Sequence, residues 1–259
     1  MQKLFTLCIT TLLLLSPLTL SADDHSKSHG MSVIKQALSH EGRLEREQTR
    51  DKKRKPGKVL ALMDLKEGMR VGDLGSGFGY YTDLISQIVG PTGKVIAHNT
   101  PYVVEKFANT YGQGGPWEQR FASDSWKGRV EQKISKVDEF QVDEPLDALL
   151  IVLHYHDLVW MDEDRVKMNK ALHDSLKSGG VFVVIDHSAE KGSGGRDVET
   201  LHRVDKQLVI DELTQAGFKL VGDYDFLTNP EDTRDFNVFR DVRTNRDATD
   251  RFVLKFKKD

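Results

Sequence analysis

The stretch Val71-Gly-Asp-Leu-Gly-Ser-Gly-Phe-Gly79 decides the fold of this chain. It joins a short apolar run to an acidic residue and three glycines at alternate positions, and a helix-like segment follows. This layout predicts a strand, a tight turn and a helix N-terminus, where a nucleotide-like ligand can approach bare backbone. The spacing Gly75-x-Gly77-x-Gly79 differs from the nicotinamide fingerprint G-x-G-x-x-G, and no Lys-Ser or Lys-Thr follows as in a phosphate loop.

Strand and helix signals alternate along the rest of the chain, which predicts an α/β fold with a doubly wound, mostly parallel, seven-stranded sheet. The run Leu146 to Leu153 is apolar throughout, as is typical of a central strand. The last run, Arg251 to Lys257, alternates like an antiparallel strand. The predicted strands cover residues 69–74, 94–98, 129–135, 146–153, 181–185, 218–223 and 251–257.

Composition narrows the classes of function. With 259 residues, one domain is expected once any targeting segment is removed. A net charge of −3 gives no overall field that would attract nucleic acid, so we expect no nucleic-acid partner. The basic run Arg50 to Lys55 is interpreted as a solvated helix end. The only cysteine, Cys8, lies in the leader described next, so the mature chain has no thiolate chemistry.

The N-terminus has the pattern of a secretory signal peptide, residues 1–22. A positive start is followed by the apolar run Leu4 to Leu20 and by small residues suited to cleavage after Ser21 or Ala22. A membrane anchor is the alternative, although the run is barely long enough to span a bilayer. We expect an exported protein with no membrane association after cleavage. Residues 23–30 are predicted to be a disordered lead-in to a domain at 31–259, whose residues 31–65 form a helical cap.

The run Gly68 to Thr82 resembles motif I of the class I S-adenosylmethionine-dependent methyltransferases. Pro145 to Leu153, Leu176 to Ile185 and Ala216 to Phe218 resemble later elements of that family, so the likeness covers about residues 56–257. The resemblance implies that family's Rossmann-like fold and S-adenosylmethionine as cofactor. Shorter segments resemble a poorly characterised group of predicted, often exported bacterial methyltransferases: residues 155–157, 186–187, 201–203 and 249–256. That likeness points to the bacterial periplasm.

In that family the glycine turn approaches the methionine part of the cofactor, and the acidic residue orders the turn and the cofactor's amino group. The second strand usually ends in an acidic residue that binds the ribose, whereas here it ends in Asn99. An amide can bond to a hydroxyl, but without the charge-assisted strength of a carboxylate. The implied cofactor-binding residues are Asp73, Gly75, Ser76, Gly77, Gly79, Asn99 and His154.

Polar residues follow the fourth and fifth predicted strands, where side chains should face the ligand pocket. One hypothesis makes a histidine the general base for the methyl acceptor, with His156, His187 and His202 as candidate catalytic residues. A second, less favoured, places a divalent metal among His156, Asp157, Asp186, His187 and His202. In a third, these residues only cap strands and hold loops.

Two functions from different classes remain open. The first is a methyltransferase acting on a small-molecule acceptor, and no N-P-P-Y-type motif that would favour a nucleobase or amide follows the fourth strand. The second is an exported ligand-binding module on a methyltransferase-like fold that has lost transfer activity, because the cofactor is made in the cytoplasm. A nicotinamide-dependent oxidoreductase is disfavoured by the glycine spacing.

Overall fold

The computed structural model describes residues 22–112, 114–161, 163–240 and 247–259. Within them, seven strands form one sheet in the order β3-β2-β1-β4-β5-β7-β6. Their bounds are β1 Arg70–Leu74, β2 Lys94–Asn99, β3 Val130–Ile134, β4 Leu146–Val152, β5 Leu176–His187, β6 Phe218–Tyr224 and β7 Arg251–Lys258. Neighbouring strands from β3 to β5 pair in parallel, and β7 pairs antiparallel with both β5 and β6. The predicted fold class is therefore confirmed.

The helices fill the connections between strands and precede the first of them. Several begin where the sequence supplies a start signal. Pro at the first helical position opens three of them, where its missing N–H costs nothing, and the Thr100 side chain caps the second of the three. The bounds are α1 Ala22–Ser39, α2 Glu45–Gln48, α3 Asp51–Arg54, α4 Pro56–Leu62, α5 Tyr80–Val89, α6 Pro101–Tyr111, α7 Pro116–Phe121, α8 Tyr155–Trp160, α9 Arg165–Ser175, α10 Val198–Leu201 and α11 Lys206–Gln215. None of these described helices is long and apolar enough to cross a membrane.

The sheet is covered on both faces, and β4 shows why. Along this strand Leu149 and Ile151 pack into one apolar cluster, whereas Ala148 and Leu150 pack into the cluster on the opposite face. Because successive side chains of a strand point to opposite faces, an unbroken apolar run is what a strand buried on both sides requires. The prediction that this strand is central is confirmed, since it pairs with β1 on one side and β5 on the other.

The strand order reverses direction between β1 and β4, and this reversal positions the site. From β1 the chain moves outward to β2 and β3, and then returns to the other side of β1 to form β4. In open α/β sheets, ligands bind beyond the carboxyl ends of the strands at such a switch point. The segments after β1 and β4 should therefore line any cavity.

The structure differs from the sequence expectations at three places. Residues 23–30, expected to be a disordered lead-in, belong to helix α1. The fifth strand, predicted to begin at residue 181, begins at Leu176, so Gly179 and Gly180 lie inside β5. That strand also extends to His187, because its last residues pair with the start of β7, so Asp186 and His187 belong to the strand rather than following it. The predicted signal peptide, residues 1–22, lies outside the described residues except for Ala22.

Candidate active site

A cavity of about 600 Å³ opens at the carboxyl ends of β1, β2 and β4. Its volume falls within the range of about 300–1,000 Å³ that is usual for small-ligand sites. The glycine turn after β1 forms one wall, and the segment after β4 forms another. Helices α2 and α3, the α6 helix, and Val238, Phe239 and Asp247 also contribute to the lining.

The glycines of the turn have different structural roles. Gly75 and Gly77 both have φ near +60°, in the left-handed region where glycine alone is unstrained. A Cβ on Gly75 would overlap the ring of His154, so this glycine lets the imidazole pack directly on the turn. A Cβ on Gly77 would meet nothing within 4 Å. Gly77 therefore presents bare backbone to the cavity, as expected for a cofactor-binding residue.

Gly79 differs from the other predicted cofactor-binding residues. It does not belong to the cavity lining. A Cβ there would overlap the indole of Trp126, and its φ of +82° places it at the N-cap of α5. Its absence of a side chain serves packing between the turn and Trp126 rather than contact with a ligand.

Asp73 is a buried carboxylate in the wall of the cavity. Thr82 Oγ1 donates to its Oδ2 at 2.6 Å, which ties the end of β1 to helix α5. Burial raises the pKa of Asp73 to about 6, against the opposing effects of the Thr82 hydrogen bonds and the Arg54 charge. The carboxylate is thus poised to gain from a cationic group placed in the cavity.

Ser76 and Asn99 lock the turn to the end of β2. The Ser76 N–H and hydroxyl both donate to the His98 carbonyl, at 2.9 and 3.1 Å. The Gly77 N–H donates to Asn99 Oδ1 at 3.0 Å, and Asn99 Nδ2 donates to the Gly77 carbonyl at 3.2 Å. Both ends of the Asn99 amide are therefore engaged with the turn, so its evident role is to position Gly77.

The segment after β4 forms a cluster of histidines around one carboxylate. His154 caps α8, lines the cavity and has its Nδ1 3.1 Å from Asp157 Oδ2. His202 Nδ1 lies 3.4 Å from Asp157 Oδ1, and His156 Nε2 lies 3.3 Å from the same oxygen. Burial acts to raise the pKa of Asp157, but the three imidazoles around it hold that pKa well below its usual range.

His156 does not fit the predicted role of general base. It is fully buried and is not part of the cavity lining. Its backbone N–H and ring Nδ1 both donate to Asp186, at 2.8 and 2.7 Å. Burial lowers its pKa, but the Asp186 and Asp157 carboxylates outweigh it and raise the pKa to about 10. His156 lies outside the cavity lining and its Nδ1 is bonded to Asp186, so it cannot accept a proton from a substrate and belongs to the support of the site.

His187 and His202 line the cavity and remain candidate catalytic residues. His187 Nδ1 lies 2.6 Å from Thr249 Oγ1, and burial together with the nearby His156 charge lowers its pKa well below the usual value. His202 is held in the left-handed conformation, φ +54°, at the end of α10. Its ring packs edge-on against Phe239.

Two cavity residues, Arg50 and Arg54, belong to the basic run that was predicted to be a solvated helix end. Arg54 is buried, and its guanidinium lies 4.4 Å from the ring centre of Tyr80 and 5.1 Å from that of Tyr81. Arg50 makes a two-bond ion pair with Asp247, at 2.6 and 2.9 Å. The basic run was visible in the sequence, but its partner lies 197 positions away, and no local signal links the two.

Comparison with known proteins agrees with this geometry. A family model described as protein-L-isoaspartate(D-aspartate) O-methyltransferase (PCMT) matches residues 39–110. The match spans fewer than half of the residues, but it contains the whole glycine turn and Asn99. A search among curated proteins returned no match.

Solved structures resemble the chain over most of its length. A SAM-dependent methyltransferase from Aquifex aeolicus aligns with a TM-score of 0.55 and 20% identity, over 87% of this chain and 97% of its own. The glycopeptide N-methyltransferase MtfA in complex with sinefungin aligns with a TM-score of 0.55 and 12% identity, over 92% and 98%. The chain has the class I methyltransferase fold. Together with the family-model match, these likenesses support the prediction of an S-adenosylmethionine-dependent methyltransferase.

Proposed function

We propose that this chain is an S-adenosylmethionine-dependent methyltransferase acting on a small-molecule acceptor. The observation that carries the proposal is Gly77, whose bare backbone faces a cavity that continues without interruption to the histidine cluster. A cofactor at the glycine turn would therefore direct its reactive end toward His187 and His202. The cavity volume leaves room for a small acceptor beside the cofactor.

Specific residues would hold the cofactor. The ionised Asp73 suits the cofactor's ammonium group, because a buried carboxylate without a cation in hydrogen-bonding contact gains most from one. The aromatic rings of Phe78, Phe107 and Tyr111 give an apolar wall beside Gly77 that suits an adenine ring. When bound, the cofactor supplies an activated methyl group on a sulfonium, and the chain's own task is to align an acceptor with it.

The enclosure of the cavity favours a small acceptor. Helices α2 and α3 border it on one side, with Arg46, Glu47 and Arg54 in its lining. Glu47 is itself fixed by a buried ion pair with Arg120. Phe239 and Asp247 border it elsewhere. An acceptor must fit between these elements to reach the histidine cluster, and this restricts its size.

The second candidate function, a binding module without transfer activity, is favoured by Asn99. Its amide is engaged with Gly77 at both ends, at the position where a carboxylate usually binds the cofactor's ribose. Weak binding of the ribose would reduce the affinity for the cofactor, which would suit ligand sensing better than catalytic turnover.

Calorimetry with S-adenosylmethionine and S-adenosylhomocysteine tests the proposal. The wild-type chain should bind both, and Gly77→Val should lower affinity at least tenfold by filling the space that the backbone leaves. Gly128→Val is the matched control, because Gly128 also has positive φ (+76°) and open space around its Cβ but lies outside the cavity. Absence of binding at millimolar cofactor would refute the methyltransferase. Tight binding without methyl transfer to a broad set of small hydroxyl, amine and thiol acceptors would favour the binding module.

We further propose export to the bacterial periplasm, which rests on the signal-peptide pattern of residues 1–22. Mass spectrometry of the N-terminus, after expression in a Gram-negative host and separation of periplasm from cytoplasm, tests it. A periplasmic product beginning at Ala22 or Asp23 is expected. A full-length cytoplasmic or membrane-bound product would refute it.

A further inference from the structure

Three donor atoms from two separate segments converge beside the cavity. They are His156 Nε2, Asp157 Oδ1 and His202 Nδ1, and all lie within 4.8 Å of one another. The two nitrogens are 3.3 and 3.4 Å from the shared carboxylate oxygen. Ligand atoms about 2.1 Å from a tetrahedral ion lie about 3.4 Å apart, so the two nitrogen–oxygen distances match those of a coordination shell.

Two of these donor atoms make no hydrogen bond in the described part of the chain. His156 Nε2 and His202 Nδ1 are both buried, and neither has a hydrogen-bond partner of acceptable geometry there. His156 is fully buried as a residue. An unpartnered ring nitrogen inside a protein is costly, and a pair aimed at one carboxylate oxygen points to a missing cation.

The surroundings of the three donors are those of a metal-binding site. Ligating histidines usually donate their second ring N–H to a carboxylate, which fixes the ring and makes it a better ligand. The His156 Nδ1 does this to Asp186, which is itself fully buried. The Asp157 carboxylate is also held in place, by Trp160 Nε1 on Oδ1 and by His154 Nδ1 on Oδ2, each at 3.1 Å.

We propose that His156, Asp157 and His202 bind a divalent transition-metal ion. Two imidazoles and one carboxylate suit Zn²⁺, Fe²⁺ or Mn²⁺ better than the all-oxygen sites of Mg²⁺ and Ca²⁺. Three protein ligands leave a coordination position open, which is typical of reactive rather than structural metal sites. Asp157 and His202 line the cavity, so the open position faces it.

At this position the ion would be in reach of a molecule bound in the cavity. An ion there can bind an oxygen of a molecule in the cavity and lower the pKa of an attached hydroxyl. This consequence rests on the proposed function, because it makes the acceptor an oxygen compound. The metal site itself does not depend on methyl transfer.

Zinc calorimetry on the full chain, stripped with a chelator and studied without cofactor, tests the site. One Zn²⁺ per chain is expected for the wild type. His202→Gly and Asp157→Asn should each weaken binding at least tenfold. His202→Gly does not strain the backbone, since glycine readily adopts the positive φ of position 202.

His173→Ala is the control, because His173 lies away from the cavity and packs against Phe218. It should bind Zn²⁺ within twofold of the wild type. His25 and His29 are present in every variant, so any binding by them cancels in the comparison. A wild type that takes up no ion beyond that seen in His202→Gly would overturn the proposal. Visible absorption of the Co²⁺ form provides a second readout, and only a tetrahedral site gives its intense bands. Failure here leaves cofactor binding at the glycine turn untouched.

Discussion

A buried carboxylate lies near each end of the cavity, and the two carboxylates have opposite electrostatic environments. Asp73, at the glycine turn, has a neutral hydroxyl as its hydrogen-bond partner and a raised pKa. Asp186, at the histidine cluster, accepts from two backbone N–H groups and from the ring of His156, whose pKa it raises. The Asp73 carboxylate has no cationic hydrogen-bonding partner, whereas the Asp186 carboxylate is already paired with His156.

The difference distinguishes a carboxylate that is available to a ligand from one that holds the surrounding structure in place. A buried carboxylate without a cationic hydrogen-bonding partner stores unfavourable free energy that a positively charged ligand can recover. A buried carboxylate that is already paired contributes its free energy to holding the local structure. The same residue type thus prepares one end for a ligand and fixes the geometry of the other. Two substitutions, Asp186→Ala and Asp73→Asn, test this contrast, and a pair of glycine substitutions tests the turn itself.

Asp186→Ala should have the largest effect on stability. It removes the acceptor of three hydrogen bonds and leaves the buried His156 without its strongest partner. Breaking a buried ion pair by removing one member costs about 3–5 kcal/mol, so urea unfolding at pH 7 should show a loss of this size. Asp174→Ala removes a surface carboxylate paired with Lys170 and should change stability by less than about 0.5 kcal/mol. Equal effects of the two substitutions would contradict the assignment of Asp186 as a structural anchor.

The next contrast lies within the glycine turn. Gly75→Ala should cost about 2–4 kcal/mol, because it adds an overlap with His154 to the strain of a positive φ. Gly77→Ala should cost only the strain, about 1–2 kcal/mol, since its Cβ meets open space. Thermal unfolding of the two variants measures the difference. If Gly77→Ala proved the more destabilising of the two, the turn would not face the cavity as described.

The sequence predicted the turn better than the cluster for a physical reason. The turn is built from consecutive residues, so its strand, its acidic residue and its glycines appear together in the order in which they act. The cluster joins residues near 156, 186 and 202, and their mutual distances depend on how β4 and β5 pair. Residue types alone gave His156, His187 and His202 equal standing. The structure sets His156 apart because its ring does not line the cavity, which no local pattern encodes.

Gly79 and Asn99 show a related limit. The sequence places both at the turn, but it does not show which atoms are already engaged. Gly79 is constrained by Trp126, which follows 47 positions later, and Asn99 is bonded to Gly77. Likewise, the inward orientation of Arg50 depends on Asp247, near the other end of the chain. Long-range partners decide such roles.

Asp73→Asn should change stability by no more than Gly77→Ala, and in the opposite direction. The folded pKa of about 6 lies above the ordinary value of 3.8, so the folded state holds the proton more tightly than the unfolded state. The free energy of unfolding therefore falls as pH rises from about 4 through 6, and above that range the charged Asp73 remains a net cost. Asparagine keeps an acceptor for Thr82 but carries no charge. The variant should be more stable than the wild type by about 1–2 kcal/mol at pH 7 and no more stable at pH 4.

The same variant should bind S-adenosylmethionine at least tenfold more weakly at pH 7, because it lacks the charge that the cofactor's ammonium group would meet. Urea unfolding at the two pH values and calorimetry at pH 7 measure both quantities. A gain in stability with a loss in affinity would mark Asp73 as a residue kept for binding at the expense of folding. A loss in stability at pH 7 would mean that Asp73, like Asp186, serves the framework, and the two ends of the cavity would then be alike.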